Sequence, residues 1–378
     1  MINKIVNLLE EQGHSVSRFT RTSADIPGMR FGRIRAFFCG IHCPSAIHDM
    51  QNQFKANRPD VVMIQNVFPF ISTGVFPLIK KMGIPLVFRC GNFRLACPNG
   101  LFLSHEKICE KCVGGREYWC VLKNCERSFF KSFGYALRCA WTRLSGNVTK
   151  NTDMYITQTQ FTREKFVEWG LPEQRIAVIP NFIDNFDAFN SKPDPGNFIG
   201  FVGRVSPEKD MPTLLGAAAN LPDIPFKIAG DFTRMPWIIN EAPENVKFLG
   251  RLDSEALDKF YADCRLLVLT SNCYEVFPVV LAEAMARGIP VVCSRIGGLP
   301  SIVEEHRTGL LFEPSNIHDL TEKISILWSN QEMCREMGET GRQKSLLQYT
   351  GDCYYKNLMT VFEQAIRISH NQTPQRHL

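Results

Sequence analysis

Residues 266–300 constrain the fold more than any other stretch of this chain. The apolar run 266–269 leads into a loop, a helix that starts at Pro278 and stops at Gly288, and a second apolar run at 291–293. Proline suits the first turn of a helix, and glycine suits the position after its end. Two short apolar strands joined through a helix form a parallel pair that is buried on both faces. The stretch therefore predicts a doubly wound α/β domain.

The same alternation of strands and helices runs along most of the chain. In the first half, the predicted helices are 2–12, 46–57, 75–82 and 162–170, and the predicted strands are 15–20, 61–64, 86–88, 154–157 and 176–179. In the second half, strands are predicted at 199–202, 226–229, 246–249, 266–269, 291–293 and 309–312, and helices at 211–219, 254–262 and 317–328. Such alternation predicts two domains, each built on a parallel sheet.

Domain boundaries follow from a linker at 191–197, which is rich in Pro, Asp and Gly. We expect an N-terminal domain at 1–185, with a Cys-rich insertion at 91–125, and a C-terminal domain at 186–345. A helical region at 346–368, which returns to the N-terminal domain, and a disordered tail at 369–378 complete the prediction. The length of 378 residues suits two cores of ordinary size.

Composition limits the cellular location and the classes of partner that we expect for this protein. The net charge of +5 is mild, and no nucleic-acid signature is present. No run approaches the roughly 20 apolar residues of a membrane-spanning helix, and the start at Met1 does not resemble a signal peptide. We therefore expect a cytoplasmic protein. Residues 126–149 are rich in aromatic and basic side chains. They form either an interfacial helix on the inner face of a membrane or a long helix packed on its own domain.

Charged residues cluster where predicted strands end. Gly203 and Arg204 follow one strand, with Lys209 five residues further on, and Glu275 and Glu283 flank the helix that starts at Pro278. The unpaired amides at a helix start, together with an Arg and a Lys, suit a diphosphate. The two glutamates suit sugar hydroxyls, although each is also compatible with an ordinary surface position.

Three motifs in this half of the chain resemble those of one enzyme family. They are Gly203-Arg204-x4-Lys209, then Tyr274-Glu275-x-Phe277-x5-Glu283-Ala-Met-Ala-x-Gly288-x-Pro290-Val-Val, and Gly297-Gly298-x3-Ile302-Val303. The pattern resembles the nucleotide-sugar glycosyltransferases of family 4, which are retaining enzymes of the GT-B fold. That fold has two facing Rossmann-like domains with a cleft between them. The resemblance is densest over 198–325 and weaker over 13–183.

The resemblance implies a role for each donor-side residue. Arg204 and Lys209 would neutralise the donor diphosphate next to Gly203, and Glu275 would contact the transferred sugar, which makes these three charged residues the catalytic candidates. Glu283 would bind the ribose, and Arg251 would lie near the base. The loop and helix start that would line the phosphate and sugar consist of Val276, Phe277, Pro278 and Val279. The implied reaction needs no cofactor and no metal.

The first half departs from the family pattern in three places. The family opens with a β-strand and a Gly-rich loop, whereas this sequence begins in a helix, so we expect the first strand of the N-terminal domain to be missing. Gln65 and Asn66 stand where a His-x-His is common, and Gly91 stands where the family has a cleft histidine. The candidate substitutes on the acceptor side are Arg89, Asn92 and Arg94. These departures concern catalytic competence more than the fold.

Fourteen cysteines are many for a protein of this class. Cys109, Cys112, Cys120 and Cys125 follow a Cys-x2-Cys-x7-Cys-x4-Cys pattern that is compatible with a tetrahedral structural zinc site. Reduced thiols without a metal and disulfides are the alternatives. We do not expect a catalytic cysteine, because glycosyl transfer needs none.

The sequence thus predicts a metal-independent retaining hexosyltransferase. It would move a hexose from a nucleotide diphosphate sugar to a glycan or lipid-linked glycan, as in surface-polysaccharide or lipopolysaccharide assembly. One alternative is a catalytically impaired nucleotide-sugar-binding protein, or a truncated fragment of such an enzyme. Another is an epimerase or phosphorylase of the GT-B fold.

Overall fold

A computed structural model of the protein describes residues 1–22, 28, 31–184 and 196–372. The chain forms two compact units. The first comprises Met1–Ser104, Cys109–Ile179 and Tyr355–Leu378, and the second comprises His105–Ile108 and Pro180–Tyr354. None of the described helices is both long and apolar enough to cross a membrane.

The elements of the first half surround a parallel sheet. The helices are α1 (Ile2–Glu11), α2 (Gly32–Ile41), α3 (Pro44–Ala56), α4 (Val75–Lys81), α5 (Tyr118–Leu122), α6 (Phe129–Ser145), α7 (Asn147–Asn151) and α8 (Gln160–Trp169). The strands are β1 (Val62–Ile64), β2 (Leu86–Arg89), β3 (Leu103–Ser104), β4 (Lys107–Ile108), β5 (Met154–Thr157) and β6 (Ile176–Val178). The order within the main sheet is β1-β2-β5-β6, and every pairing is parallel. All residues of β2 and β5 are buried, including the polar end residues Arg89 and Thr157.

The second half forms a larger parallel sheet. Its strands are β7 (Phe198–Val202), β8 (Phe226–Ala229), β9 (Val246–Gly250), β10 (Cys264–Leu269), β11 (Val291–Ser294) and β12 (Gly309–Phe312). The helices are α9 (Met211–Ala219), α10 (Ser254–Asp263), α11 (Val279–Ala286), α12 (Leu299–Ile302), α13 (Ile317–Ser329), α14 (Gln331–Gln348) and α15 (Gly351–Gln372). The described strands pair in the order β12-β11-β10-β7-β8-β9. The order reverses between β7 and β10, which is where a doubly wound sheet binds its ligand.

Most predicted elements are present, and several predictions are wrong. Residues 15–20 form no strand, because no neighbouring strand pairs with them in the described chain. The helix predicted over 126–149 is shorter, since Gly146 adopts a left-handed conformation and ends α6. The tail prediction fails at 369–372, which continue α15, and residues 373–378 lie outside the described chain. Most of the predicted linker, 191–195, also lies outside it.

Helix α14 is absent from the sequence prediction, and its glycines explain why. Gly338 and Gly341 lie inside this helix, although glycine ordinarily disfavours a helix interior. A Cβ atom at Gly338 would lie 2.0 Å from the carbonyl oxygen of Gly288. The same residue that weakens the helical signal therefore allows α14 to approach the end of α11.

Candidate functional site

Glycines lie at the carboxyl ends of three neighbouring strands of the second sheet. Gly203, Gly230 and Gly250 lie at the carboxyl ends of β7, β8 and β9, and the amide of Gly230 donates to the carbonyl of Gly250 at 2.7 Å. A Cβ atom at Gly230 would lie 1.6 Å from the carbonyl oxygen of Gly203, and its φ is +152°. Only glycine fits there, because any side chain would collide with the backbone of Gly203.

A lysine, a serine and a glutamate meet beside this edge. The ammonium of Lys209 forms a short ion pair with Oε1 of Glu275 and lies 3.4 Å from Oγ of Ser271. The Ser271 hydroxyl donates to the same carboxylate oxygen at 2.7 Å. The side chains of Lys209 and Glu275 are 13% and 16% exposed, so the pair is partly desolvated. The structure thus brings together two of the three residues predicted to be catalytic.

Backbone contacts hold the two motifs against each other. The hydroxyl of Thr270 donates to the carbonyl of Lys209 at 2.7 Å, and the amide of Asn272 donates to the carbonyl of Glu208 at 3.1 Å. From the other side, the amide of Gly298 donates to the carbonyl of Glu275 at 3.2 Å. Segments from β7, β10 and β11 therefore converge on Glu275, as expected for neighbouring strands of one sheet.

The environment of Glu275 keeps its carboxyl group ionised. Burial, the largest single influence, raises the pKa of this carboxyl, but the charge and hydrogen bond of Lys209 and the hydroxyl of Ser271 lower it. The pKa ends below its ordinary value. By contrast, burial raises the pKa of the nearby Cys273 thiol to about 12, so this group does not supply a thiolate.

The third predicted residue, Arg204, belongs to a second charge cluster. The Glu208 carboxylate is 9% exposed, and its Oε1 lies 3.5 Å from Arg204 and 3.7 Å from Arg234. Asp231, which follows the glycine after β8, lies within electrostatic reach of Arg234 and Arg251. Sequence reasoning missed Glu208, Asp231 and Arg234 because none belongs to a motif that distinguishes it from a solvated surface charge. The available signal in the sequence was that Asp231 and Arg234 closely follow Gly230, at the end of a predicted strand.

Helix α11 begins at Val279, one residue later than predicted, with Pro278 at the N-cap. Val276 and Phe277 lie in the loop before it, and Phe277 is buried against Tyr349 with ring centroids 5.3 Å apart. Glu283 lies one turn inside α11 and accepts a hydrogen bond from the Tyr261 hydroxyl at 3.2 Å. Because Tyr261 is buried, this bond fixes the direction of the Glu283 carboxylate.

The three acceptor-side candidates lie in the first unit, at and after the end of β2. Arg89 is buried, and one of its guanidinium nitrogens lies 3.4 Å from the position of a Cβ atom on Gly91. Asn92 accepts a hydrogen bond from the amide of Arg94 at 3.1 Å and therefore shapes a turn. The Arg94 side chain packs over Gly100. These residues form a polar group at the carboxyl end of the strand.

The cysteine pattern does not form the predicted zinc site. Within the described ranges, no three His, Cys, Asp or Glu side chains are placed to hold a metal ion together, and all fourteen cysteines are free. Burial raises the pKa of Cys112 to about 12, and a hydrogen bond with Cys125 together with burial raises that of Cys120. Cys112 and Cys120 pack with Ala136 in a small buried cluster.

Comparison with known proteins agrees with this architecture. The model of "Glycosyltransferase Family 4" matches residues 2–185, and that of "Glycosyl transferases group 1" matches residues 182–344. An uncharacterised glycosyltransferase of Methanocaldococcus jannaschii, MJ1178, is 33% identical over 201 residues, which cover 52% of this chain and 56% of that protein. The matched segments span about half or less of the length of the first curated relatives.

Solved structures show the same fold at low identity. Sucrose-phosphate synthase of Thermosynechococcus elongatus has a TM-score of 0.72 at 17% identity, over 97% of this chain and 92% of that one. Anabaena HepE, solved in complex with UDP-glucose, has a TM-score of 0.63 at 17% identity, over 95% and 88% of the two chains. The two Rossmann-like units are those of the GT-B fold, and the chain belongs to glycosyltransferase family 4.

Proposed function

We propose that this protein is a retaining glycosyltransferase that takes a hexose from a nucleotide diphosphate sugar. The observation that carries this proposal is the cluster of Lys209, Ser271 and Glu275 at the switch point of the second sheet. It combines a cation for phosphate with a carboxylate for hydroxyl groups, both partly desolvated. The complex of HepE with UDP-glucose supports this class of donor.

Three cations would hold the diphosphate. Arg204, which is 60% exposed, offers a guanidinium fork, and Lys209 offers a point charge from the same loop. Arg234 shares the Glu208 carboxylate with Arg204 and adds the third charge. Glu208 is the positioning residue of this group, since it touches both guanidinium groups from a buried site. Cations placed on a leaving diphosphate stabilise the charge that develops in the transition state.

The remaining donor contacts follow from the same geometry. The contacts of the Glu275 carboxylate with Lys209 and Ser271 both involve Oε1, and we assign Oε2 to hydroxyl groups of the hexose. Glu283, held by Tyr261, would accept from the ribose, and Arg251 would lie beside the base. The amides of Val276, Phe277 and Val279 would line the phosphate and the sugar, since they precede or begin α11.

The proposed reaction is a same-face displacement without a metal. The bond between the anomeric carbon and the diphosphate oxygen breaks as the acceptor hydroxyl oxygen bonds to the anomeric carbon from the same side. The leaving diphosphate takes the proton of that hydroxyl, and the anomeric configuration is retained. Arg204 and Lys209 lower the barrier by neutralising the diphosphate, and Glu275 orients the sugar.

The proposed acceptor is a glycan or a lipid-linked glycan on the cytoplasmic side of a membrane, as in surface-polysaccharide or lipopolysaccharide assembly. The acceptor-side group would be Arg89, Asn92 and Arg94. A lipid-linked acceptor requires an enzyme that works at a membrane surface. The first unit carries an exposed apolar helix face suited to that requirement.

A donor panel followed by product analysis tests the proposal. We expect one nucleotide diphosphate hexose to raise the melting temperature of the full chain more than the free nucleotide does, and anomeric NMR to show a retained linkage on the acceptor. Stabilisation by donors without transfer or hydrolysis would favour a binding protein. An altered nucleotide sugar without an acceptor would favour an epimerase, and phosphate-dependent release of sugar phosphate would favour a phosphorylase.

A further inference from the structure

Helix α6 presents its apolar side to solvent. One stripe of the helix consists of large apolar residues spaced three or four apart, and every member is exposed: Phe130, Phe133, Leu137, Trp141 and Leu144. Phe130 is 82% exposed and Leu144 is 70% exposed. A surface helix of a globular protein normally turns such a stripe inward. Packing within this unit therefore does not explain why the stripe is apolar.

The opposite side of α6 packs inward although it is small and polar. Its buried residues are Ser132, Ala136, Arg138, Cys139 and Thr142. The Arg138 guanidinium stacks over the rings of Phe68 and Tyr135, at 4.2 and 4.4 Å from their centroids. The Cys139 thiol donates to the carbonyl of Leu95 at 3.3 Å. These specific contacts fix the rotation of the helix, so the outward stripe is a built feature.

Two neighbouring helices extend the exposed apolar area. Helices α2 and α6 approach closely at Gly134, where a Cβ atom would lie 3.0 Å from the ring of Phe37. Exposed apolar residues on and beside α2 and α5 are Phe31, Ile34, Phe38, Tyr118 and Leu122. We call the exposed apolar residues of α2, α5 and α6 the aromatic face. Its members come from three helices, of which α2 and α5 each pack against α6.

The charges on the helices of the aromatic face are all positive, and one half-buried acid, Glu126, lies between α5 and α6. Helices α2, α5 and α6 contain no Asp or Glu, whereas Arg35 and Lys131 are exposed on them and Arg127 is exposed just before α6. The acid that precedes α5, Glu117, is bound by Arg143 at 2.7 Å. Aromatic rings interleaved with cations are the pattern of helices that lie in the interface of an anionic bilayer.

We propose that the aromatic face docks this protein on a bilayer that contains anionic lipids. The rings of Phe130, Phe133 and Trp141 enter the boundary between headgroups and acyl chains, and Lys131 and Arg35 contact anionic headgroups. The basic rim favours such a bilayer over an apolar protein surface, because a protein partner would need a matching acidic rim. The proposal needs no step of the glycosyl transfer proposed above.

Vesicle co-sedimentation of the full chain tests the proposal without donor or acceptor. We expect binding to phosphatidylcholine vesicles that contain phosphatidylglycerol, and weak binding to phosphatidylcholine alone. The double variant Phe130→Glu and Leu144→Glu should abolish binding, and Lys131→Glu should weaken it about tenfold and reduce its salt dependence. Leu347→Glu is the matched control, since Leu347 is 71% exposed on α14 in the other unit.

Outcomes against the proposal are equally distinct. Equal binding to neutral and anionic vesicles would remove the role of the basic rim, and binding to neither would overturn the proposal. A dimer in lipid-free solution that the double variant dissociates would assign the aromatic face to a second copy of the chain. Circular dichroism and the melting temperature establish that each variant is folded, and variants at Phe133 and Trp141 replace any that is not.

Discussion

At the scale of single residues, the charges of Lys209 and Glu275 compensate each other in a partly buried ion pair. Each charge is partly removed from water, and each is compensated by the other. A diphosphate that binds Lys209 would therefore share it with the carboxylate that is proposed to hold the sugar. In the proposed mechanism this coupling would link recognition of the two halves of the donor, and it would make the two side chains separable by kinetics.

Glu275→Gln should reduce kcat by about 10²–10³-fold, with a smaller change in KM for the donor. The amide keeps the shape of the side chain but loses the charge that orients the hydroxyl groups in the transition state. Steady-state kinetics with the donor identified by the panel would check this. Glu255→Gln, on the exposed side of α10, is the control. Wild-type kinetics in the Glu275 variant would remove this residue from the mechanism.

Lys209→Ala should raise KM for the donor, lower kcat and shift the acid limb of the pH profile upward. Lys209 lowers the pKa of the Glu275 carboxyl against the effect of burial, so its loss lets burial dominate. The depressed pKa stabilises the fold above the pKa of unfolded Glu, and this contribution is lost as the pH falls through the folded pKa. Rate measurements from pH 4 to 8 test the shift, and an unmoved acid limb would contradict the coupling.

Gly230→Ala should destabilise the second unit by about 2 kcal/mol or more, because a methyl group would collide with the carbonyl oxygen of Gly203. Thermal unfolding measures the effect. Gly250→Ala is the matched control, since Gly250 also has a positive φ, of +73°, but has no atom within 4 Å of its Cβ position. Equal losses in the two variants would mean that backbone strain, rather than the close approach, requires glycine at 230.

At the scale of elements, ion pairs and glycine contacts decide how helices dock. The Arg143 side chain of α6 binds the Glu117 carboxylate before α5, which is 6% exposed. Arg143→Ala should therefore cost roughly 2 kcal/mol of unfolding free energy, because it leaves a buried charge without its partner. Chemical denaturation measures this value. The double variant with Glu117→Gln should recover part of the loss, and an additive loss would argue against the pair.

The elements that the sequence predicted correctly are those whose pattern is local. The strands of the second sheet and the helices α9 and α13 have apolar spacing and end signals that tertiary contacts do not override. Helix α2 was missed because Gly32 and Gly40 hide its signal, and Arg234 was missed because its meaning depends on Glu208, 26 positions earlier. Contacts between distant segments carry no local signature, so these features needed the structure.

At the scale of the whole molecule, the proposed reaction depends on charged side chains and not on a bound metal ion. We expect dialysis against EDTA to leave turnover unchanged, since a chelator does not remove the guanidinium and ammonium groups of Arg204 and Lys209. Metal analysis of the same protein should give far less than one zinc per chain, and thiol titration after unfolding should give fourteen thiols. Activity lost to EDTA and restored by a divalent ion would contradict this assignment.

The second unit was more predictable from sequence than the first unit. The motif residues Arg204, Lys209 and Glu275 lie on one sheet edge because parallel strands end on the same side. In the first unit, the departures at Gln65 and Gly91 left only the group around Arg89, and the sequence left open whether residues 126–149 form an interfacial helix or pack on their own domain. A stripe of aromatic residues looks the same in sequence whether it points to a core or to solvent.

The orientation of α6 also governs how the protein behaves during preparation. Exposing an aromatic ring to water costs free energy in proportion to its apolar area. In concentrated samples, folded molecules lower this cost by associating through their exposed rings. Yield would then be limited by adhesion between folded molecules, which a mild detergent relieves and heating does not. The exposed apolar residues also predict the behaviour in hydrophobic-interaction chromatography. A phenyl resin would retain the native chain, and the Phe130 and Leu144 double variant would elute early.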